Sequence, residues 1–116
     1  MTGYHSHDDL SYLSQLKESA PAEFAAWVKF DGMVGRKDGA IPQKERELIA
    51  VACAHVTQCV YCLDVHVKAA VDAGATREEI AEATLIAAAL RAGGAGAHAA
   101  LTMKLFQQHT AQGHQA

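Results

Sequence analysis

The stretch QCVYCLDVH, residues 58–66, contains two cysteines three positions apart and a histidine four positions after the second cysteine. Residues three and four apart share one face of a helix, so Cys59, Cys62 and His66 are predicted to line one stripe if a helix begins near Cys59. Neighbours on such a stripe lie about 5 to 6 Å apart, a separation at which a disulfide can form. The spacing therefore predicts two thiols that can be oxidised to a disulfide beside a base.

The predicted place of these cysteines, in the first turn of a helix, also favours reactivity. A thiol reacts as its thiolate, and the unpaired N–H groups of a first helical turn stabilise that anion. Glu47 precedes Cys59 by twelve residues. In an antiparallel helix pair this places it at a level from which its carboxylate reaches His66 or Cys62. Glu45 is the competing acid, but it lies two positions away and faces a different direction.

Capping signals and apolar spacing predict the elements that position these residues. Ser6 or Asp8 is expected to cap a first helix, and Thr76 a fifth helix that ends near Ala92. The intervening helices are predicted to run from Pro21 through Val34, from Pro42 to about Thr57, and from about Cys59 to Gly74. A loop, GRKDGA at 35–40, separates the second helix from the third, and a glycine break after Ala92 precedes a sixth helix that carries Leu101, Leu105 and Phe106.

The composition agrees with an all-helical fold. Of the 116 residues, 50% are hydrophobic and only 6% are aromatic, which favours close-packed helices over sheets. The length suits one domain, residues 1–116. A net charge of -3 without a basic run argues against nucleic acid as a partner. Neither a signal peptide nor an apolar stretch of about 20 residues is recognisable, so we expect a cytoplasmic protein that does not enter membranes.

The segment TLIAAAL, residues 84–90, is apolar on nearly every side of the predicted fifth helix. A helix that is apolar all round is usually buried, and a small monomer has little room to bury one. The sequence therefore predicts contacts between subunits in a homo-oligomer.

The order Glu47, eleven residues, Cys59, two residues, Cys62, three residues, His66 resembles the active-site signature of one protein family. This family is the carboxymuconolactone decarboxylase family, and the resemblance is to its alkylhydroperoxidase D-like branch. The surrounding sequence from KERELIAVACAHV to AALTMKLF, residues 44–106, is similar to that branch as well. The resemblance implies an all-helical fold in which small helical units assemble as trimers or hexamers.

The resemblance also implies a role for each residue of the signature. Cys62 would attack a hydroperoxide and become a sulfenic acid, and Cys59 would resolve that acid as a disulfide. Glu47 and His66 would form a proton relay that deprotonates Cys62 and returns a proton to the leaving oxygen. Such a cycle takes a hydroperoxide as substrate and an external dithiol as reductant. We expect no cofactor and no resident metal.

One position departs from the family pattern. Typical peroxidase members have a histidine directly before the second cysteine, where this chain has Tyr61. A tyrosine can donate a hydrogen bond but does not act as a base at neutral pH, so the relay here is expected to differ. Tyr61 is predicted either to close over the site or to face a neighbouring subunit.

Other interpretations of the cysteine pair were weighed. Two cysteines at this spacing also occur as small residues packed in a helix interface. A zinc site needs four ligands, so beyond Cys59, Cys62 and His66 it would require His55, His98 or another subunit. A thioredoxin-like motif lies at the end of a strand, which a helical chain does not supply. The four-residue signature favours redox chemistry over all three.

The remaining candidate residues have simpler predicted roles. Cys53 lies between two alanines and is predicted to be a buried small residue. His98 is expected either to approach the site from the sixth helix as an accessory residue or, the favoured alternative, to be a hydrogen-bonded core histidine. His5 and His7 lie near the N-terminus and are predicted to be solvated.

Three functional hypotheses follow. The favoured one is a dithiol peroxidase or thiol–disulfide oxidoreductase that reduces hydroperoxides. The alternative is a non-enzymatic helical oligomer whose cysteines sense redox conditions or act as a structural link, which the Tyr61 departure and the apolar fifth helix motivate. A decarboxylase-like lyase is disfavoured, because that branch of the family generally lacks the cysteine pair.

Overall fold

The structure is a computed structural model that describes the backbone of residues 5–115 and the side chains of residues 5–111. A short 3₁₀ helix, His7–Tyr12, precedes five α-helices. These are α1 (Leu13–Ser19), α2 (Pro21–Asp31), α3 (Gln43–Thr57), α4 (Val60–Asp72) and α5 (Arg77–Gln115). The described residues contain no strand, which confirms the all-helical prediction.

Capping interactions confirm the predicted starts of the first and fifth helices and the end of the fourth, whereas α2 ends at Asp31 and not at the predicted Val34. Ser6 begins the 3₁₀ helix through a capping box with Asp9. At the start of α5, the N–H of Thr76 donates to Oε1 of Glu79 at 2.8 Å, and the N–H of Glu79 donates to Oγ1 of Thr76 at 3.1 Å. Gly74 follows α4 with a φ of 95°, a left-handed conformation that glycine adopts without a steric penalty.

The predicted break between a fifth and a sixth helix is wrong, because α5 is one helix of 39 residues. Each glycine in RAGGAG costs about 1 kcal/mol relative to alanine inside a helix, but no proline or polar loop interrupts the segment. The alanines on both sides have the highest helix propensity, and the chain therefore stays helical. It continues through the predicted C-terminal tail to Gln115, and Ala116 lies outside the described residues.

The core lies where α3 packs against both α4 and α5. Its fully covered apolar residues are small, with Val51 and Ala54 on α3, Ala70 on α4 and Ala87 on α5. Small side chains let helix backbones approach closely. Helices α1 and α2 pack on each other. The 3₁₀ helix contacts α1 and α4.

The chain leaves much of its apolar surface open to solvent. Its radius of gyration is 20.3 Å, whereas a compact chain of 100 residues has a value of about 13 Å. Leu85, Ile86 and Leu90 of α5 are between 59% and 68% exposed, and Phe30 of α2 is 77% exposed. No described helix has both the length and the hydropathy that crossing a membrane requires.

Candidate active site

The turn between α3 and α4 sets the position of the cysteine pair. Gln58 ends α3 in the left-handed conformation, with φ 58° and ψ 42°. This turns the chain so that the N–H of Cys59 donates to the carbonyl of Ala54 at 3.0 Å. Cys59 then has an extended backbone and caps the N-terminus of α4. Cys62 consequently lies in the first turn of α4, as the sequence predicts.

Cys59 and Cys62 form a disulfide, with their Cα atoms 5.2 Å apart. The bond is compatible with an intact helix, because the N–H of Cys62 still donates to Sγ of Cys59 at 3.1 Å. The sulfur of Cys59 thus takes the place of the side-chain oxygen that usually caps a helix. The structure represents the oxidised state of the pair.

Glu47 and His66 form the second half of the site. Oε1 of Glu47 lies 2.6 Å from Nδ1 of His66, and the two side chains are only 6% and 16% exposed. Glu47 is buried because it shares a stripe of α3 with Val51 and Ala54 at helical spacing. Glu45 is exposed, as its different direction predicts.

The hydrogen bond to Glu47 determines the orientation and tautomer of His66. A carboxylate only accepts hydrogen bonds, so Nδ1 of His66 carries the proton that it donates to Glu47. In the neutral imidazole, Nε2 is then the unprotonated nitrogen. The buried carboxylate therefore prepares His66 to accept a proton through Nε2.

The loop before α3 closes over Glu47, and its glycine was not recognised from the sequence. A side chain at Gly35 would overlap Oε2 of Glu47. The amide of Gln43 donates to the carbonyl of Gly35 at 2.9 Å and holds the loop there. Arg46 fixes the rest of the loop, because its guanidinium donates to the carbonyls of Met33, Val34 and Ile41 at 2.9 to 3.1 Å. The sequence around Gly35 predicts a loop before α3, but it does not predict these contacts.

An open cleft of about 370 Å³ leads to the site. Cys62 and His66 both line it, together with residues from the loop and from α3: Val34, Ile41, Arg46, Ile49, Ala50, Cys53, Ala54 and Thr57. Of the two disulfide sulfurs, only that of Cys62 belongs to a residue that lines the cleft. The prediction of a buried Cys53 is wrong, since its free side chain is exposed on this cleft. Its turn of α3 faces the cleft, and no described helix covers it.

Tyr61 points away from this cleft toward the N-terminus. Its hydroxyl donates to Oδ2 of Asp9 at 2.8 Å and lies 3.0 Å from Nδ1 of His5. His7 forms an ion pair with Asp64, which lies on α4 as Tyr61 does. His5 and His7 are exposed as predicted, but both have partners on α4 that sequence spacing did not reveal.

His98 lies neither in the site nor in the core of this chain, contrary to both alternatives. It is exposed on α5, about 30 Å along the helix from Arg77, because the unbroken helix does not turn back toward α4. His55 contacts the hydroxyl of Thr84 at 3.2 Å. Within the described part of the chain, no three histidine, cysteine, aspartate or glutamate residues are grouped as a metal site requires.

Comparison with known families identifies the class of protein that this fold and site define. Residues 21–104 match the model of the carboxymuconolactone decarboxylase family. The match covers well over half of the chain, so the chain belongs to this family. It also begins earlier than the motif-bearing segment 44–106 and includes α2.

Two individual proteins are similar to this chain. The "Uncharacterized protein 4 in cox locus" of Paracoccus denitrificans is 56% identical over 62 residues, which is 53% of this chain and 56% of that protein. The chain thus spans little more than half the length of this curated relative. A crystal structure of a protein from Methanobacterium thermoautotrophicum superposes with a TM-score of 0.69 at 33% identity, over 78% of this chain and 97% of that one.

Proposed function

We propose that the protein is a dithiol peroxidase of the alkylhydroperoxidase D-like type, which reduces hydroperoxides at Cys62. The observation that carries this proposal is the joint position of Cys62 and His66 on one cleft, with Cys59 bonded to Cys62 and Glu47 bonded to His66. A nucleophile, its base, the group that orients the base and a resolving thiol are therefore together. The two-helix hairpin of α3 and α4 supplies all four.

The first half of the reaction takes place at Cys62. His66 accepts the thiol proton through Nε2, and the Cys62 thiolate attacks the terminal oxygen of the hydroperoxide. The S–O bond forms as the O–O bond breaks, and the leaving alkoxide takes the proton from His66. The products are a sulfenic acid on Cys62 and an alcohol. Glu47 stabilises the imidazolium that exists between these two proton transfers.

The second half restores the dithiol. The Cys59 thiolate attacks Sγ of Cys62, which forms the disulfide and releases hydroxide that is protonated to water. The disulfide is the state that the structure represents. An external dithiol then supplies two electrons and two protons through thiol–disulfide exchange. Attack at Cys62 is favoured for this step, because Cys62 lines the cleft.

A homo-oligomer, a trimer or hexamer, is part of the proposal. Its support is the exposed apolar surface of α2 and α5 together with the extended shape of the isolated chain. Large contiguous apolar patches on a protein surface usually mark interaction sites. The decarboxylase activity that gives the family its name is not proposed, because that branch generally lacks the cysteine pair that is present here.

The proposal is tested by following hydroperoxide consumption with a dithiol reductant. The wild type is expected to turn over an organic hydroperoxide faster than free thiols do. Cys62→Ser is expected to abolish turnover, and His66→Gln to lower kcat/KM by at least about tenfold. Cys53→Ser is the matched control, because it removes the third thiol from the same cleft without touching the pair. If the wild type consumes no hydroperoxide beyond the thiol background, the proposal fails.

A further inference from the structure

The N-terminal strap, defined here as residues 5–12, is attached to the turn of α4 that carries the redox pair. Tyr61, which lies between Cys59 and Cys62, donates to Asp9 at 2.8 Å and lies 3.0 Å from Nδ1 of His5. One helical turn further along, Asp64 pairs with His7. The proposed peroxidase chemistry uses none of these contacts.

The strap presents Asp9 to Tyr61 in a fixed geometry. Oδ2 of Asp9 also accepts the N–H of Ser6 at 2.9 Å, which closes the capping box of the 3₁₀ helix. The same carboxylate oxygen therefore caps the start of the strap's own helix and binds α4. Loss of the Tyr61 contact therefore removes one of the two hydrogen bonds that hold this carboxylate oxygen in place.

The disulfide restrains the Tyr61 side of the contact between Asp9 and Tyr61. It bonds Cys59 to Cys62 and so restrains the backbone on both sides of Tyr61. Cys59 is also the cap of α4, so the sulfur that the disulfide fixes is the one that accepts from the first turn of this helix. Reduction removes the covalent restraint from this turn. More conformational entropy must then be lost to hold Tyr61 in the position in which it binds the strap.

We infer that attachment of the strap is thermodynamically linked to the redox state of the cysteine pair, tight in the disulfide form and loose in the dithiol form. Linkage is reciprocal, so the attached strap must favour the disulfide by the same factor by which the disulfide favours attachment. Tyr61 is then a positioning residue for the pair, not a proton carrier. The strap converts the oxidation state of the pair into a change at the protein surface.

This inference goes beyond the proposed peroxidase activity. It requires only that Cys59 and Cys62 interconvert between dithiol and disulfide, whatever the oxidant. Hydroperoxide turnover tests the peroxidase, whereas the equilibrium of the pair with glutathione and the exchange of strap amides test the linkage. Each can fail without the other.

The first test measures the equilibrium constant between the cysteine pair and glutathione. Tyr61→Phe removes the hydroxyl and keeps the ring, and the equilibrium is expected to shift about fivefold toward the dithiol, as for the loss of one net hydrogen bond. Asp9→Asn is expected to shift it in the same direction. The matched control is Tyr12→Phe, whose hydroxyl forms no hydrogen bond with α4 among the described residues. This control should keep the wild-type equilibrium.

The second test follows amide hydrogen exchange in a peptide covering the strap, with and without a phosphine reductant. The wild type is expected to exchange several times faster after reduction, and Tyr61→Phe to exchange rapidly in both states. A Cys59→Ser, Cys62→Ser double variant should match the reduced wild type and ignore the reductant. Equal exchange in both states of the wild type would overturn the inference, as would a Tyr61→Phe equilibrium indistinguishable from that of Tyr12→Phe.

Discussion

At the scale of single residues, the site depends on the carboxylate of Glu47, which is buried and hydrogen-bonded. Glu47 occupies a core position of α3 with only 5% of its surface exposed, and Nδ1 of His66 is its hydrogen-bond partner. Burial of an unpaired carboxylate is strongly unfavourable. The pair therefore stabilises the contact between α3 and α4 only while both members are present. The same hydrogen bond thus serves both the packing of the two helices and the proposed chemistry.

Glu47→Gln tests the orienting role of the carboxylate. The amide can donate to Nδ1 as well as accept from it, so Nε2 is no longer held as the unprotonated nitrogen. We expect kcat/KM for an organic hydroperoxide to fall by at least about tenfold, with a stability loss of about 1 to 3 kcal/mol in urea unfolding. Glu45→Gln changes the same residue type on the exposed side of α3 and should change neither quantity. Unchanged kcat/KM in Glu47→Gln would exclude Glu47 from the relay.

Gly35→Ala tests the packing of the loop on that carboxylate. The added methyl group overlaps Oε2 of Glu47, so either the loop or the carboxylate must move. We expect a loss of about 1 to 3 kcal/mol in unfolding free energy, as for other overpacked sites, together with a lower kcat/KM. Gly94→Ala is the control within the chain, because nothing lies within 4 Å of a methyl group there. Full activity in Gly35→Ala would show that the position of Glu47 tolerates displacement.

The sequence predicts some of these residues and not others, for a physical reason. Cys59, Cys62, His66 and Glu47 lie on two adjacent helices, so helical spacing alone places them near one another. Gly35, Arg46 and the Asp9–Tyr61 contact depend on where loops and the N-terminus fold back. These contacts follow no periodic sequence pattern, so residue spacing does not predict them. The exposure of Cys53 was missed for a related reason, since a small residue between alanines has the same pattern in a core and along a cleft.

At the scale of elements, the strap depends on two contacts that involve a titratable group and have opposite pH responses. The hydrogen bond and charge of Asp64, with a smaller contribution from the charge of Asp8, raise the pKa of His7 above its ordinary 6.5. The Ser6 N–H and the Tyr61 hydroxyl, with the charge of His5, hold the pKa of Asp9 below its ordinary 3.8. The two contacts therefore weaken at opposite ends of the pH range.

The sign of each effect predicts the pH window of attachment. The raised pKa of His7 means that its contribution is complete below pH 6.5 and is lost as pH rises through the folded-state value. The lowered pKa of Asp9 means that its contribution is present above pH 3.8 and is lost as pH falls through the folded-state value. We expect an NMR titration to give His7 a pKa above 6.5, which Asp64→Asn returns toward 6.5. A wild-type His7 that titrates at 6.5 would exclude the ion pair in solution.

Helix boundaries were predictable wherever a capping residue defined them. Ser6, Pro21, Gly74 and Thr76 each mark an end that the structure confirms. The glycines at 93 and 94 did not mark an end, because propensity costs of about 1 kcal/mol are outweighed when strong helix formers flank them. A glycine signals termination reliably only when the chain must adopt a positive φ, as Gly74 does.

At the scale of the whole molecule, the isolated chain buries very little. Its covered apolar core consists of one valine and three alanines among the described residues, while large side chains on α2 and α5 remain open. The side chains of α5 from 88 to 111 are all exposed, even though Arg91 donates to the carbonyl of Val56 on α3. The all-helical class follows from composition, but the extent of this open surface does not, because it depends on how far α5 extends.

The open surface predicts an assembly that light scattering coupled to size exclusion can measure. We expect a mass of three or six chains, each of 12.3 kDa. Leu90→Glu places a charge on an apolar side of α5 that is 65% exposed in the chain, and it is expected to shift the mass toward the monomer. Glu78→Gln, which also changes the charge at an exposed position of the same helix, is the matched control. A monomeric wild type at micromolar concentration would contradict the proposed assembly.

Trapping of the intermediate tests whether Cys62 is the peroxide-attacking thiol and Cys59 the resolving thiol. Reduced wild type, Cys59→Ser and Cys62→Ser are treated with one equivalent of an organic hydroperoxide and a sulfenic-acid trap, and then analysed by mass spectrometry. We expect a Cys59–Cys62 disulfide in the wild type, a trapped sulfenic acid on Cys62 in Cys59→Ser, and no rapid reaction in Cys62→Ser. A sulfenic acid on Cys59, or no thiol that reacts faster than free cysteine, would contradict these roles.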